Sequence, residues 1–380
     1  MNNKILSFLL LVAVLLFLGS AFMVFNGCAA SNTASVEEGV IETTSTTAPL
    51  SPGETTSTTT TTTTTTGADD GGGVVVITST TAAEIVVVPT TLPEEVPWSG
   101  NPTDAPTSTV KLCFIHHSVG EQWLNDPDWD NAGGLGIALR NNNYFVSGTN
   151  YGWGPDTIGE TTDLGNWWSW FRGPRSATYV TAVYANNDQN SEFSRLATNP
   201  GGENEIVMFK SCFPNSNLQN PAAPIPAIGS NPLCGLDAYS EYHTFANAKG
   251  IYTDLLNYFS TRQDKLFIAV TFPPLIANAN AANARAFSNW LVNDWLASYP
   301  HKNVAVFDFY NIQTGGDNRH SYYDGGVHHV IAPGSSNLAN YPSGIHADDD
   351  HPSSAGNVRA TSEFIPLLNY YYHRWKGHVD

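Results

Sequence analysis

Val110-Lys-Leu-Cys-Phe-Ile-His-His-Ser118-Val-Gly120 is a run of apolar and β-forming residues that meets a polar cluster and a glycine. A run bounded by such turn chemistry predicts a buried strand that stops abruptly. Ser118 would then lie at the carboxyl end of that strand, which is the edge where catalytic groups gather in open α/β sheets. Because a serine hydroxyl is a poor nucleophile alone, it needs a base, usually a histidine oriented by a carboxylate.

The other end of the chain carries a histidine and three carboxylates in the stretch Asp348-Asp-Asp-His351-Pro-Ser-Ser-Ala-Gly356. We predict that His351 is the base that takes the Ser118 proton. The spacing lets Asp348 project from the same turn and hold the histidine tautomer, with Asp350 as the alternative orienter. The simpler alternatives are that Ser118 only caps a helix and that His351 only closes a loop.

Strand-like and helix-like patterns alternate downstream of these residues. The predicted strands are 111–115, 144–147, 179–184, 205–210, 265–271 and 304–309, and the predicted helices are 133–141, 245–262, 281–299 and 355–375. Part of an insertion is the alternative to an extra strand for residues 179–184. This alternation predicts an α/β domain over residues 110–380, with a parallel sheet covered by helices on both faces.

Four separated blocks resemble the SGNH/GDSL-type hydrolases. They are Ser118 after the first strand, Ile158-Gly-Glu-Thr-Thr162, Phe213-Pro-Asn-Ser216, and Asp348-x-x-His351. The first block departs from the family's Gly-Asp-Ser because it reads His116-His117-Ser118, and the third block lacks the family's glycine.

The resemblance implies a three-layer flavodoxin-like fold with a central parallel sheet, and ester hydrolysis by a Ser-His-Asp mechanism without a cofactor. It also implies that the oxyanion is held by the backbone N–H groups of Ser118 and Gly159 and by the side-chain amide of Asn215. Taken alone, Gly159 is a turn glycine, and Asn217 competes with Asn215 for the same role.

Tryptophans are concentrated between the first and third blocks. The segments concerned are Tyr151-Gly-Trp153-Gly-Pro155 and Trp167-Trp168-Ser-Trp170-Phe171. We predict a sugar-stacking platform that includes Trp153, Trp167 and Trp168, with His117 beside it. The alternative is that these rings pack an insertion onto the sheet.

The histidines also suggest a second hypothesis, a divalent-metal site. Its candidate ligands are His116, His117, His328, His329, His346, His351 and Asp348 to Asp350. Imidazole and carboxylate groups are ordinary zinc ligands. Since neighbouring residues on a strand face opposite sides, at most one histidine of each His-His pair would take part.

The first 109 residues differ from the rest of the chain. Lys4 and the apolar run that follows predict a signal peptide, and Phe25-Asn-Gly-Cys28 resembles a lipobox in which Cys28 is lipidated. An uncleaved membrane anchor is the alternative for residues 1–28. Residues 29–109 contain an unbroken threonine run from 58 to 66, and we expect them to form a disordered linker.

The net charge bears on the kind of partner, and the cysteines bear on disulfide bonding. The formal net charge is −18, which disfavours nucleic acid as a partner because such proteins need a basic face. An exported chain is compatible with disulfides, and we predict one between Cys212 and Cys234, which flank a Pro/Asn-rich loop.

These features together predict a tethered extracellular serine esterase that removes O-acyl groups, most simply acetyl, from a glycan. Its partners would be an acylated polysaccharide or glycoside and the membrane that holds its N-terminus. The competing hypotheses are a metal-dependent hydrolase and a non-catalytic carbohydrate-binding module. The serine mechanism requires the Ser118 hydroxyl to lie within hydrogen-bond reach of His351, with Asp348 on the far side of the imidazole.

Overall fold

The computed structural model describes residues 98–219, 223–344 and 348–380. The predicted signal or anchor segment with Cys28, and the threonine-rich segment up to residue 97, lie outside the described residues. In the part of the chain that the structure describes, no helix combines the length and the apolar character needed to cross a bilayer.

A five-stranded parallel sheet forms the centre of the domain, which confirms the predicted α/β class. Its strands are β1 (Val110–Ile115), β2 (Tyr144–Thr149), β3 (Ile206–Lys210), β4 (Leu266–Val270) and β5 (Val304–Phe307). They are ordered β2-β1-β3-β4-β5, and every neighbouring pair is parallel. The strand order reverses beside β1, so the carboxyl ends of β1 and β3 border the crevice where ligands bind in doubly wound sheets.

Helices connect the strands and cover both faces of the sheet. In chain order they are α1 (Ser118–Leu124), α2 (Leu135–Asn141), α3 (Asn166–Phe171), α4 (Ser176–Ala185), α5 (Phe245–Phe259), α6 (Ala281–Asn293), α7 (Phe309–Thr314) and α8 (Ser354–Trp375). The four predicted helices correspond to α2, α5, α6 and α8. The structure ends α5 and α6 earlier than the sequence pattern indicates.

Two apolar cores lie on opposite faces of the sheet because strand side chains alternate. Leu112 and Phe114 face a core shared with α1, α2 and α8, in which Trp123 and Phe364 are buried. Cys113 and Ile115 point the other way, to a core shared with α3, α4, α5 and α6. Because β1 is buried on both faces, its sequence is a nearly continuous apolar run, interrupted only by the buried Lys111.

Residues 179–184 were predicted as a strand, and this prediction is wrong because they belong to α4. The buried residues are Tyr179, Val180, Val183 and Tyr184, which recur with helical spacing on one face. β-branched and aromatic residues favour strands only where a pleated surface is available, and tertiary packing overrides that preference here.

A small antiparallel hairpin follows α7. Its strands are β6 (Arg319–Tyr323) and β7 (Gly326–Val330), joined by Asp324 and Gly325, both of which have positive φ. An Asp-Gly pair of this kind is typical of a two-residue hairpin turn. Arg319 Nη1 lies 2.7 Å from Glu363 Oε1, which fastens the hairpin to α8.

The folded domain begins at least as early as Trp98, so the predicted linker boundary at residue 109 is wrong. The Trp98 ring lies 4.3 Å from the His373 ring at the end of α8. Asn369 Nδ2 donates to the Thr103 carbonyl at 2.9 Å, and His373 Nε2 donates to the Asp104 carbonyl at 2.9 Å. Residues 98–109 therefore stabilise the C-terminal helix.

We expect Trp98→Ala to lower the free energy of unfolding by about 1–3 kcal/mol, since it removes an aromatic contact as well as buried area. Chemical denaturation of a chain that begins before Trp98 measures this. Trp129→Ala is the matched control, because Trp129 is 49% exposed and has no ring contact among the described residues. Equal stability of the two variants would contradict the packing of residues 98–109.

Candidate active site

Ser118 is presented by a sharp turn between β1 and α1. The strand ends at Ile115, His117 takes an extended conformation as the N-cap of α1, and Ser118 is the first helical residue. A Cβ at Gly120 would lie 2.3 Å from the Cβ of His116, so only glycine allows the helix to start this close to the strand. Ser118 thus stands at the carboxyl edge of the sheet, as predicted.

His351 lies directly over this serine. Its Nε2 is 2.8 Å from the Ser118 hydroxyl, which confirms the predicted contact across 233 positions of sequence. Its Nδ1 is 2.5 Å from Oδ1 of Asp349, and the backbone N–H of His351 donates to the same oxygen at 3.1 Å. The Asp349 carboxylate, the His351 imidazole and the Ser118 hydroxyl are thus joined in one hydrogen-bonded chain.

The orienting carboxylate belongs to Asp349, so the prediction of Asp348 is wrong. Asp348 is exposed in a turn. Asp350, the alternative, accepts the backbone N–H of Ile276 at 2.7 Å and pins the loop that follows β4. Three consecutive aspartates therefore have three different surroundings, and only the middle one reaches the imidazole.

A chain of buried polar groups holds Asp349 in place. Its carboxylate accepts a hydrogen bond from Ser343. The Ser343 hydroxyl accepts from Asn131 Nδ2 at 3.0 Å, and the Asn131 carbonyl accepts from Asn357 Nδ2 at 2.7 Å. Burial alone would raise the pKa of Asp349, but the hydrogen bonds from His351 and Ser343 outweigh it and lower the pKa.

The prediction that the Gly159 N–H holds the oxyanion is wrong in this structure. That N–H donates to the Trp153 carbonyl at 2.8 Å. The Gly159 carbonyl instead faces His117 and accepts from its Nε2 at 2.6 Å. Burial lowers the pKa of His117, which keeps the ring neutral with its proton on Nε2.

The side-chain amide of Asn215 is also fully hydrogen-bonded within the protein. The side chain is fully buried, and Nδ2 donates to Asp163 Oδ1 at 2.6 Å and to the Cys212 carbonyl at 3.2 Å. Its Oδ1 accepts from the Leu164 N–H at 2.9 Å. Both amide hydrogens are therefore used to tie two loops together, and the predicted oxyanion role of Asn215 is not met.

Most tryptophans of the predicted sugar-stacking platform lie in or against the hydrophobic core. Trp167 is fully buried and donates from Nε1 to the Ser211 hydroxyl at 2.9 Å, so its predicted sugar contact is wrong. Trp153 stacks on the buried Trp170 with centroids 5.9 Å apart, and Trp168 packs partly buried against the same core. These rings attach the segment after β2 to the sheet.

The exposed ring beside Ser118 is Tyr151, which the sequence analysis did not single out. It is 51% exposed and stacks on His117 with centroids 3.9 Å apart. Because His117 immediately precedes Ser118, the Tyr151 ring lies next to the nucleophile. The available signal was its position, because Tyr151 follows β2, a neighbour of β1, and parallel strands end at the same edge.

The histidines of the alternative metal site do not converge. His116 is buried, with its Nδ1 donating to the His117 carbonyl at 2.9 Å, and burial lowers its pKa to about 3. His329 Nε2 lies 2.6 Å from Asp308, and His346 is outside the described residues. Within the ranges described, no cluster of three or more His, Cys, Asp or Glu side chains is arranged to hold a metal ion.

The predicted disulfide between Cys212 and Cys234 is wrong, because Cys212 is a free, buried thiol. The two cysteines pack against cores on opposite faces of the sheet. Cys212 instead faces the nucleophile, with its Sγ 3.8 Å from the Ser118 hydroxyl.

No family model, curated protein or solved structure matches the chain.

A buried lysine lies under the site. Lys210 ends β3 with its side chain fully buried, and its ammonium donates to the Ser211 carbonyl at 3.2 Å. It lies 5.9 Å from the Phe309 ring and forms no ion pair with a described carboxylate. Burial lowers its pKa to about 8, and its charge in turn helps to keep His116 and His117 neutral.

We expect Lys210→Met to stabilise the fold at pH 7 by up to about 3 kcal/mol, because it removes the cost of burying a charge. The Lys210 pKa of about 8 in the folded chain lies below the ordinary lysine value of 10.5. Between these values the unfolded chain binds more protons, so wild-type stability should rise with pH and approach that of the variant. Denaturation at pH 7 and pH 10 measures this.

The control is Lys111→Met, since Lys111 donates to Asn187 at 2.5 Å and to the Gly202 carbonyl at 2.7 Å. This variant should lose stability. A loss of stability in Lys210→Met at pH 7 would show that its hydrogen bond and ring contact outweigh the desolvation cost.

Proposed function

We propose that the chain is a serine esterase of the SGNH type. The observation that carries the proposal is the aligned chain Asp349–His351–Ser118, with contacts of 2.5 Å and 2.8 Å. An oriented imidazole on a hydroxyl is the arrangement that activates serine for acyl transfer. The strand order of the sheet is that of the flavodoxin-like folds, to which SGNH hydrolases belong.

The geometry assigns a role to each group. His351 Nε2 takes the Ser118 proton as Oγ attacks the ester carbon, and later gives it to the departing alcohol. Asp349 holds the Nδ1 proton and stabilises the imidazolium that forms. The backbone N–H of Ser118, in the first turn of α1, has no hydrogen-bond partner among the described residues and is a donor for the oxyanion.

The surroundings of Ser118 favour a small acyl group on a large alcohol. Cys212 lies 3.8 Å from the nucleophile, and the Phe213 ring lies 5.0 Å from that of His351, so the acyl side is crowded. The other side is open at Tyr151. A cavity of about 520 Å³ begins at Gly152, the residue after Tyr151, and is lined by Trp153, Asn187, Asp188 and Asn190 among others.

One aromatic ring with amide and carboxylate groups suits sugar hydroxyls and ring faces. We therefore infer that the substrate is an O-acetylated glycan. The apolar N-terminal segment with Cys28 supports export and tethering to a membrane, which would place the enzyme where such glycans occur.

We expect Asp349→Asn to lower kcat for p-nitrophenyl acetate by roughly 10³–10⁴-fold, because the amide cannot hold the histidine in the productive tautomer. Asp348→Asn, at an exposed neighbour, should retain nearly full activity. Ser118→Ala and His351→Ala should each abolish turnover, and the double variant should be little worse because the groups act as a unit. If Asp348→Asn were the damaging change, the assignment of Asp349 would be wrong.

Hydrolysis of acetylated polysaccharide should survive EDTA, because every step is assigned to side chains and backbone groups. Loss of activity in EDTA with recovery on adding zinc would favour the metal-dependent hydrolase. Wild-type protein that binds glycan without releasing acetate would favour a non-catalytic module. Acetate release abolished by Ser118→Ala and unaffected by EDTA is the result expected here.

A further inference from the structure

The cavity that begins at Gly152 lies beside β2, the edge strand of the sheet. One wall is the segment 152–154, and the other is formed by the end of α4 and the segment after it, between residues 182 and 190. Its volume of about 520 Å³ falls within the range of roughly 300–1,000 Å³ that ligand sites occupy. Because the neighbouring Tyr151 stacks on His117, the cavity begins one residue beyond the ring that lies next to the nucleophile.

Both walls of the cavity are fixed to the fold. Trp153 stacks on the buried Trp170 with centroids 5.9 Å apart. On the other wall, the buried Asn186 donates from Nδ2 to the Gly148 carbonyl at 3.2 Å, and the Gly148 N–H donates to the Asp188 carbonyl at 3.0 Å. A ligand that enters therefore meets a preformed surface, so little conformational entropy is lost in ordering the protein.

Three polar groups of the lining are available to a ligand. They are the carboxylate of Asp188, the side-chain amide of Asn190 and the indole N–H of Trp153, none of which is hydrogen-bonded to a described residue. Asp188 and Asn190 are exposed, and Trp153 is half-buried. An indole beside a carboxylate and an amide can contact the face of a sugar and bind its hydroxyls.

The charges around the cavity disfavour an acidic ligand. Of the residues that line it in the described part of the chain, Asp188 alone is charged, and none is a lysine or an arginine. Arg195 attracts Asp188, but its guanidinium is bound to the Asn187 carbonyl at 2.9 Å and lies over the Phe145 ring at 4.8 Å. The net charge of −18 on the whole chain also repels polyanions. The ligand that suits this lining is uncharged.

We propose that this cavity is a subsite for a neighbouring sugar unit of an uncharged glycan chain. The inference rests on the proposed esterase function, in which the unit that bears the acyl group lies at Ser118 beside Tyr151. A single acetylated sugar bound there would leave the cavity unfilled, so the enzyme acts on units within a chain. The substrate is thus an uncharged acetylated polysaccharide, and acidic glycans are poor substrates.

The first test measures the binding of sugar chains that carry no acyl group, so that it does not depend on turnover. The probes are deacetylated glucomannan oligosaccharides, free mannose, and oligogalacturonides of the same length, with Kd measured by isothermal titration calorimetry. We expect the wild-type protein to bind the glucomannan chains at least roughly tenfold more tightly than either of the other probes. Equal or tighter binding of the oligogalacturonides would overturn the assignment of an uncharged glycan.

The second test removes two side chains together, Asp188→Ala with Asn190→Ala. Because neither side chain is hydrogen-bonded to a described residue, the melting temperature should be kept. The Kd for glucomannan chains should rise roughly tenfold, since each lost hydrogen bond weakens binding several-fold. Glu192→Ala is the matched control, because Glu192 is an exposed carboxylate on the same segment that does not line the cavity. A double variant that binds as the wild type does would overturn the subsite.

Trp153→Ala tests the aromatic part of the lining. The Kd for glucomannan chains should again rise roughly tenfold, and the melting temperature should fall because the ring also packs on Trp170. If this variant does not fold, the Asp188 and Asn190 double variant decides the question.

Acetate release from acetylated glucomannan distinguishes failure of the subsite from failure of the esterase. If Ser118→Ala abolishes release while the double variant binds glucomannan chains as the wild type does, the esterase stands and the subsite fails. If Ser118→Ala releases acetate as fast as the wild type, the serine mechanism fails and the cavity is not a subsite of that reaction, even where the double variant loses binding.

Discussion

The hydrogen bond between Ser118 and His351 depends on parallel pairing at the centre of the sheet. β1 is paired on both sides and buried on both faces, so its register is fixed against β2 and β3. That register sets where the Ser118 turn lies. The loop carrying His351 is fixed separately, by α8 packing against the adjoining core and by Asp350 on the Ile276 N–H. A hydrogen bond of 2.8 Å across 233 positions of sequence results from these independent constraints.

Buried amides do much of the positioning at this edge. Asn215 bridges the segment after β3 to Asp163 and Leu164, while Asn131 and Asn357 link the segment after α1 to α8. A buried amide left unpaired costs about 1–3 kcal/mol, so loops arranged around paired amides resist rearrangement. This rigidity is what a site needs when its donors must already be aimed before the charge develops.

The parallel sheet, Ser118 and His351 could be predicted from the sequence because each has a strong local pattern. It was not sufficient for choices that depend on which side of an element a residue faces. Asp348 and Asp349 are chemically identical, and only the folded loop shows which one meets the imidazole. Cys212 and Cys234 are suitably spaced for a disulfide but lie against opposite cores. A tryptophan can stack on a sugar or fill a core, and the sequence does not show that Trp167 is buried in the interior.

The thiol of Cys212 and the hydroxyl of Ser118 share one small space, with sulfur and oxygen 3.8 Å apart. Any group attached to this sulfur would occupy the volume that the acyl carbon needs. Inactivation by a thiol reagent would therefore look like the signature of a cysteine hydrolase, although the sulfur makes no bond to substrate in the mechanism proposed. Cys212→Ser separates the two interpretations, because it removes the reagent's target and leaves the Asp349–His351–Ser118 chain intact.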